Sequence, residues 1–220
     1  MQTTPHPLHR KMLATLAVVA WSALLLQLSL SIELAFSNGR GVIHGTLAFL
    51  AYFTILTNLF VALSATLPLV AGATRPGRVF AKPEVLGCAI TSIVMVGAGY
   101  HVLLRNAWSP QGLQLLADYL LHYVVPLDAL AYWVVFAPRA RLGVLAPLAW
   151  CIYPIGYFIY ALIRGGLTGM YPYYFIDVTR IGFAKVMVNS VAMLVAFLLV
   201  GMAVRLIPVL RGASLPTAER

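Results

Sequence analysis

The segment Asp118-Tyr-Leu-Leu-His122-Tyr-Val-Val-Pro126-Leu-Asp128 places two carboxylates, an imidazole and a proline inside a long apolar run. An ionisable side chain at the middle of a membrane costs several kcal/mol, so such groups face a bundle interior and mark function. Asp118 and His122 are four residues apart, about 40° around a helix axis, and can touch. Asp128 lies about 120° from His122 and cannot share that contact. Pro126 has no N–H, which leaves the His122 carbonyl without its helical partner and invites water or a side chain. A histidine supported by a carboxylate suits a general base, and an acid–histidine pair suits a proton relay equally well.

The elements that must hold these groups are membrane helices. Hydrophobic residues make up 61% of the 220-residue chain and charged residues 10%, a composition that excludes an ordinary soluble domain. Six apolar runs, at about 12–36, 46–70, 85–104, 113–136, 142–163 and 181–206, predict an all-α integral membrane bundle in a single domain. The first run is too long for a signal peptide's core and has no cleavage-like end. Pro154-Ile-Gly156 predicts a kink in the fifth. Between the fifth and sixth runs, Arg164 to Asp177 is aromatic and broken by Gly and Pro. It reads as an interfacial or re-entrant segment with tyrosines at headgroup depth.

Six spans put both termini on one side of the membrane. That side carries ten of the fifteen Lys and Arg residues (Arg10, Lys11, Arg75, Arg78, Lys82, Arg139, Arg141, Arg205, Arg211 and Arg220). The other holds Arg40, Arg105, Arg164, Arg180 and Lys185. The positive-inside rule predicts cytoplasmic termini. The formal charge of +9 is scattered singly through short loops, so no nucleic-acid partner is expected. Cys88 and Cys151 fall in different runs and offer no disulfide framework. His44, His101 and His122 have no metal-ligand spacing, so neither metal nor cofactor is expected.

Counting ~1.5 Å per residue from the outer ends of the runs puts Thr54, His122, Gln27 and Asn189 each roughly 12–13 Å deep. Four spans thus offer polar side chains to one layer, and Thr54, Thr57 and Asn58 share a face of the second. Taken singly, Thr and Asn in membrane helices commonly bond their own turn or a neighbouring helix for roughly 0.6 kcal/mol. Aromatics such as Tyr171 to Phe175 are most often membrane anchors. His101 beside Arg105 reads as interfacial, His44 as a boundary residue and His6 and His9 as parts of a tail; Glu33 has Arg40 and Arg105 as candidate partners.

Phe53-Thr54-Ile-Leu-Thr57-Asn58-Leu59, then Leu121-His122-Tyr-Val-Val-Pro126, then Gly156-Tyr157 with Thr168-Gly169-Met170-Tyr171-Pro172-Tyr173 follow one another in the chain. In this order they resemble the androgen-induced membrane protein family, over about residues 46–182. The family includes the androgen-dependent regulator of tissue factor pathway inhibitor and short bacterial relatives. The resemblance implies an intramembrane threonine hydrolase of fatty-acid esters of hydroxy fatty acids. It implies Thr54 as nucleophile, with Thr57 as the alternative under a small shift of the match, and His122 as its partner.

In such a site His122 would take the threonine proton and Asp118 would hold the imidazole tautomer. Donors for the tetrahedral oxyanion would come from Asn58, Asn189 or Tyr123, with Gln27 and Tyr171 as further substrate-facing candidates. The expected partners are membrane lipids or fatty-acid esters, with a second copy of the chain as a candidate assembly partner. The expected location is a bacterial inner membrane. Two other classes remain open: a proton-coupled transporter or channel using Asp118, His122 and Asp128, and a non-catalytic lipid-binding protein.

Overall fold

The computed structural model describes residues 7–137 and 142–213; His6, Arg139, Arg141 and Arg220 lie outside them. The described chain is predominantly helical, without strands. Its elements are α1 (Pro7–Ser37), α2 (Val42–Phe49), α3 (Phe53–Val70), α4 (Arg75–Phe80), α5 (Pro83–Leu104), α6 (Gly112–Phe136), α7 (Ala146–Thr168), α8 (Val178–Ile181) and α9 (Phe183–Ala213). Six of them, α1, α3, α5, α6, α7 and α9, are long and apolar enough to cross a membrane, and the protein is an integral membrane helix bundle.

The third span is the centre of the bundle. On α5 every residue from Gly87 to Ile93 is buried, and the helix packs against α3, α6 and α9. Small residues permit this, as expected where dispersion rather than water exclusion drives association. A Cβ on Gly87 would lie 2.5 Å from the Trp150 ring, and one on Gly97 would lie 3.1 Å from the His122 carbonyl oxygen and 3.2 Å from the Pro126 ring.

Three features depart from the spans expected above. The second run is broken at Leu50–Tyr52, so α2 and α3 replace a single helix. No Gly or Pro marks the break. Its cause is tertiary: the Tyr157 and Tyr160 hydroxyls of α7 donate to the freed carbonyls of Ala51 (3.0 Å) and Leu50 (3.3 Å). Irregular backbone inside a membrane requires such internal partners. The fifth span runs on through Arg164 to Thr168, ending at Gly169 in the left-handed region (φ 71°). Its irregularity is at Cys151 rather than at Pro154–Gly156, because Pro154 falls in the first turn of Ile152–Thr168, where a missing N–H is tolerated. The segment expected to be interfacial or re-entrant is therefore shorter, Gly169 to Asp177. Asn189 Nδ2 donates to the Phe175 carbonyl (2.9 Å), an Arg164 guanidinium nitrogen donates to the Met170 carbonyl (3.0 Å), and the Tyr171 ring fills the space beside Gly165.

Candidate active site

Two of the six spans contain a π-helical turn, Tyr100–Leu104 in α5 and Leu120–Val124 in α6. Such turns are rare and collect at functional sites. The π turn of α6 is tied to Pro126. In its i→i+5 register the carbonyl opposite the missing proline N–H is that of Leu121, rather than that of His122 expected for an α register. Asn58 Nδ2 of α3 donates to this Leu121 carbonyl (3.3 Å) and to the Thr54 carbonyl (2.8 Å). One amide thereby pins the start of α3 to the irregular turn of α6.

That link sets Thr54 against His122. Thr54 Oγ1 lies 3.3 Å from His122 Nε2. On the other side of the ring, Nδ1 is 2.9 Å from the Asp118 carbonyl oxygen and 3.2 Å from Asp118 Oδ1. The carbonyl takes the directional hydrogen bond, and the carboxylate oxygen supplies proximity of charge. Both neighbours of Nδ1 are acceptors, so Nδ1 carries the proton and Nε2 presents its lone pair to the threonine hydroxyl. This is the tautomer that a general base needs.

The Tyr100 hydroxyl donates to Asp118 Oδ2. Its ring stacks on the imidazole, with centroids 3.9 Å apart and planes 18° apart. Asp118 is 2% exposed and Thr54 8%, so the pair is shielded without being sealed. On the far side of Thr54, the Tyr173 hydroxyl lies 3.4 Å from Oγ1 and accepts from the Thr54 backbone N–H (3.3 Å). Tyr173 belongs to the connection between α7 and α8.

Thr54, Tyr100 and Tyr173 line a cavity of about 290 Å³ whose other walls are mainly apolar, among them Phe53, Met95 and Phe197. It lies between α5, α7 and α9, and its rim residues Ile155 and Val191 are exposed on the flank of the bundle. A second cleft, about 340 Å³, opens at the Arg105 end between α5 and α6 and is bounded by Tyr100, Arg105, Asn106, Asp118 and Tyr123. Tyr100 forms a wall of both, so the acid–histidine pair stands between an apolar and a polar compartment.

Of the residues singled out from sequence, Thr54, His122, Asp118 and Asn58 meet here. Thr57 is fully buried and points elsewhere, its hydroxyl 3.2 Å from that of Tyr153. Gln27 accepts from Gln114, two turns along α6 from His122 toward the Arg105 end. Helix α1 has 31 residues, more than a bilayer needs, so depth counted along it slips. Asn189 bonds the connection between α7 and α8 at Phe175, and the Tyr171 ring of that connection packs beside Gly165. Tyr123 bonds His101 (3.2 Å) at the cleft, where Arg105 also reaches His101 (2.9 Å). Among the described residues no direct hydrogen bond connects Asp128 to His122, and Asp128 Oδ2 is buried without a protein partner. No group of three His, Cys, Asp or Glu side chains among the described residues could hold a metal ion.

Tyr100 and Tyr173 are the residues that the sequence reading missed. Tyr100 carried a signal in hindsight, eighteen residues before Asp118 across a short connection, with the two on antiparallel neighbours. Tyr173 stood within the motif that pointed to Tyr171 instead. Comparison of the chain with family models, with curated proteins and with solved structures finds no match in any of the three.

Proposed function

We propose that this protein is an intramembrane hydrolase of lipid or fatty-acid esters, with Thr54 as nucleophile, His122 as general base and Asp118 as the group that orients the imidazole. The observation that carries this reading is the 3.3 Å approach of Thr54 Oγ1 to His122 Nε2 at the wall of a mainly apolar cavity of about 290 Å³. A threonine hydroxyl is a poor nucleophile until a base removes its proton, and a long hydrogen bond of this kind tightens when substrate is bound. An acyl chain would slide in from the flank between α7 and α9 and bring its ester to Thr54. The Thr54 oxygen would attack the carbonyl carbon as its proton passes to Nε2, and the leaving alcohol would take that proton. Water, deprotonated by Nε2, would then release the acid and restore Thr54.

The resemblance to the androgen-induced membrane protein family supports the same pair of residues and suggests fatty-acid esters of hydroxy fatty acids as a substrate class. The distribution of basic residues suggests cytoplasmic termini, and the short loops suggest a bacterial inner membrane. The test is turnover of a fluorogenic acyl ester by detergent-purified protein, with labelling by a serine/threonine-reactive probe. Thr54→Ala and His122→Ala are expected to lose turnover, and Thr54→Ala to lose labelling. Equal turnover by wild type and both variants would remove the proposal.

A further inference from the structure

Resting on the hydrolase reading, we propose that the Tyr173 hydroxyl, together with the backbone N–H of Thr54, forms the oxyanion site of this enzyme, making Tyr173 a catalytic residue. Attack by Thr54 Oγ1 moves an electron pair from the carbonyl bond onto the ester oxygen. That oxygen needs hydrogen-bond donors fixed beside the nucleophile. Thr54 stands in the first turn of α3, where N–H groups have no partner within the helix. The α3 N-cap, Tyr52, makes no side-chain cap. The N–H groups of Ile55 and Leu56 turn back to the Tyr52 carbonyl (3.1 and 3.2 Å), whereas that of Thr54 points to the Tyr173 oxygen (3.3 Å). The helix start also places its positive dipole end at this spot.

The assignment follows from where each nearby donor is spent. Both hydrogens of Asn58 Nδ2 go to carbonyls, and the Asn189 amide goes to Phe175. The Tyr100 hydroxyl is committed to Asp118 Oδ2, that of Tyr157 to the Ala51 carbonyl, and that of Tyr153 is paired with Thr57. Tyr173 differs. Its oxygen accepts from Thr54 N–H, and its own hydrogen has no acceptor but Thr54 Oγ1 itself, 3.4 Å away. When Oγ1 bonds to the carbonyl carbon, the new oxyanion stands two bonds from Oγ1, where it would take the Thr54 N–H from the Tyr173 oxygen and the Tyr173 hydrogen from Oγ1. A phenol is protonated across the neutral range, so the Tyr173 hydroxyl is available to donate. Its ring is held parallel to Phe175 (centroids 5.2 Å apart) and edge-on to Tyr52 (5.8 Å).

Collapse of the tetrahedral species returns the electron pair to the carbonyl, breaks the bond to the leaving oxygen and passes the Nε2 proton to it. Hydrolysis of the acyl-threonine repeats these steps with water in place of the hydroxyl. No co-reactant beyond water is needed. Asn189, through Phe175, is a positioning residue for the donor.

The test is Tyr173→Phe, which keeps the ring and removes the donor. We expect kcat to fall by about 10²–10³ with KM nearly unchanged. An alkyl trifluoromethyl ketone, which forms a tetrahedral adduct on Thr54, should bind more weakly by a similar factor, while a matched ether analogue of the ester binds as before. Turnover within twofold of wild type, or equal losses for ketone and ether, would overturn the assignment. Should Tyr173→Phe not fold, a fluorotyrosine at 173 has a more acidic hydroxyl and should tighten the ketone relative to the ether; an unchanged ratio overturns it too. Thr54→Ala separates the two ideas. Full activity there would sink the hydrolase reading, whereas an inert Thr54→Ala beside a fully active Tyr173→Phe sinks only the oxyanion assignment.

Discussion

The choice between two threonines three residues apart turns on which face of α3 meets α6. Thr54 reaches His122 Nε2, whereas Thr57 is 0% exposed and paired with Tyr153 at 3.2 Å. Thr57→Val should therefore cost about 1–3 kcal/mol of stability, since the Tyr153 hydroxyl is left buried without its partner. Turnover per folded molecule should be retained; the thermal midpoint and kcat, measured on one preparation, separate the two effects. A Thr57→Val enzyme that folds but is inert would exchange the roles of the two residues. Asp118→Asn probes the imidazole from the other side. An amide that donates to Nδ1 favours the tautomer protonated on Nε2, which has no lone pair for the threonine proton. We expect a loss on the order of 10²–10⁴ in kcat, the range associated with a general base, and little change in KM.

Among elements, the π turn of α6 and the proline behind it form one device. The turn carries His122, Pro126 leaves the Leu121 carbonyl free, and Asn58 claims it. Pro126→Ala restores an N–H that competes for that carbonyl and lets the turn relax to α geometry. Dropping the extra residue of the π turn would rotate His122 by about 100° relative to the rest of α6. Activity should fall while the protein remains folded, and Asn58→Ala should produce the same defect. A Pro126→Ala protein with wild-type turnover would show that the irregular turn has no part in placing the histidine. Gly97→Ala tests the neighbouring contact. The added Cβ would meet the His122 carbonyl at 3.1 Å and the Pro126 ring at 3.2 Å, so both neighbours would have to yield by a few tenths of an ångström. Overpacking of this kind costs about 1–3 kcal/mol, so a lower thermal midpoint is the expected result.

Across the whole molecule, the spans pack unevenly. Helices α1, α3, α5 and α6 form a close core, while α7 meets α9 mainly through its first turns, Ala146–Trp150, and then diverges. The 290 Å³ cavity occupies the gap, with Val191 of α9 57% exposed at its rim. If acyl chains enter there, Val191→Trp should depress kcat/KM for long-chain esters far more than for acetyl esters. Measuring turnover against chain length would decide it; a uniform loss at all lengths would argue against a flank entrance. Tyr100 lines both this cavity and the polar cleft at the Arg105 end.

Much of this protein could be read directly from its residues. Composition and run lengths specify six membrane helices, because a bilayer demands some twenty apolar residues per crossing and tolerates little charge within them. The i,i+4 spacing of Asp118 and His122 brings the two together on any helix, since that contact is local. What only the tertiary structure decided is non-local. The break at Leu50–Tyr52 exists because hydroxyls from α7, more than a hundred residues away, bond the freed carbonyls. Tyr100 and Tyr173 join the site because α5 packs beside α6 and the connection after α7 folds back on α3. Gln27 leaves it because a long helix need not keep its residues at the depth that counting assigns. Local periodicity determines which residues share a face; only packing determines what that face meets.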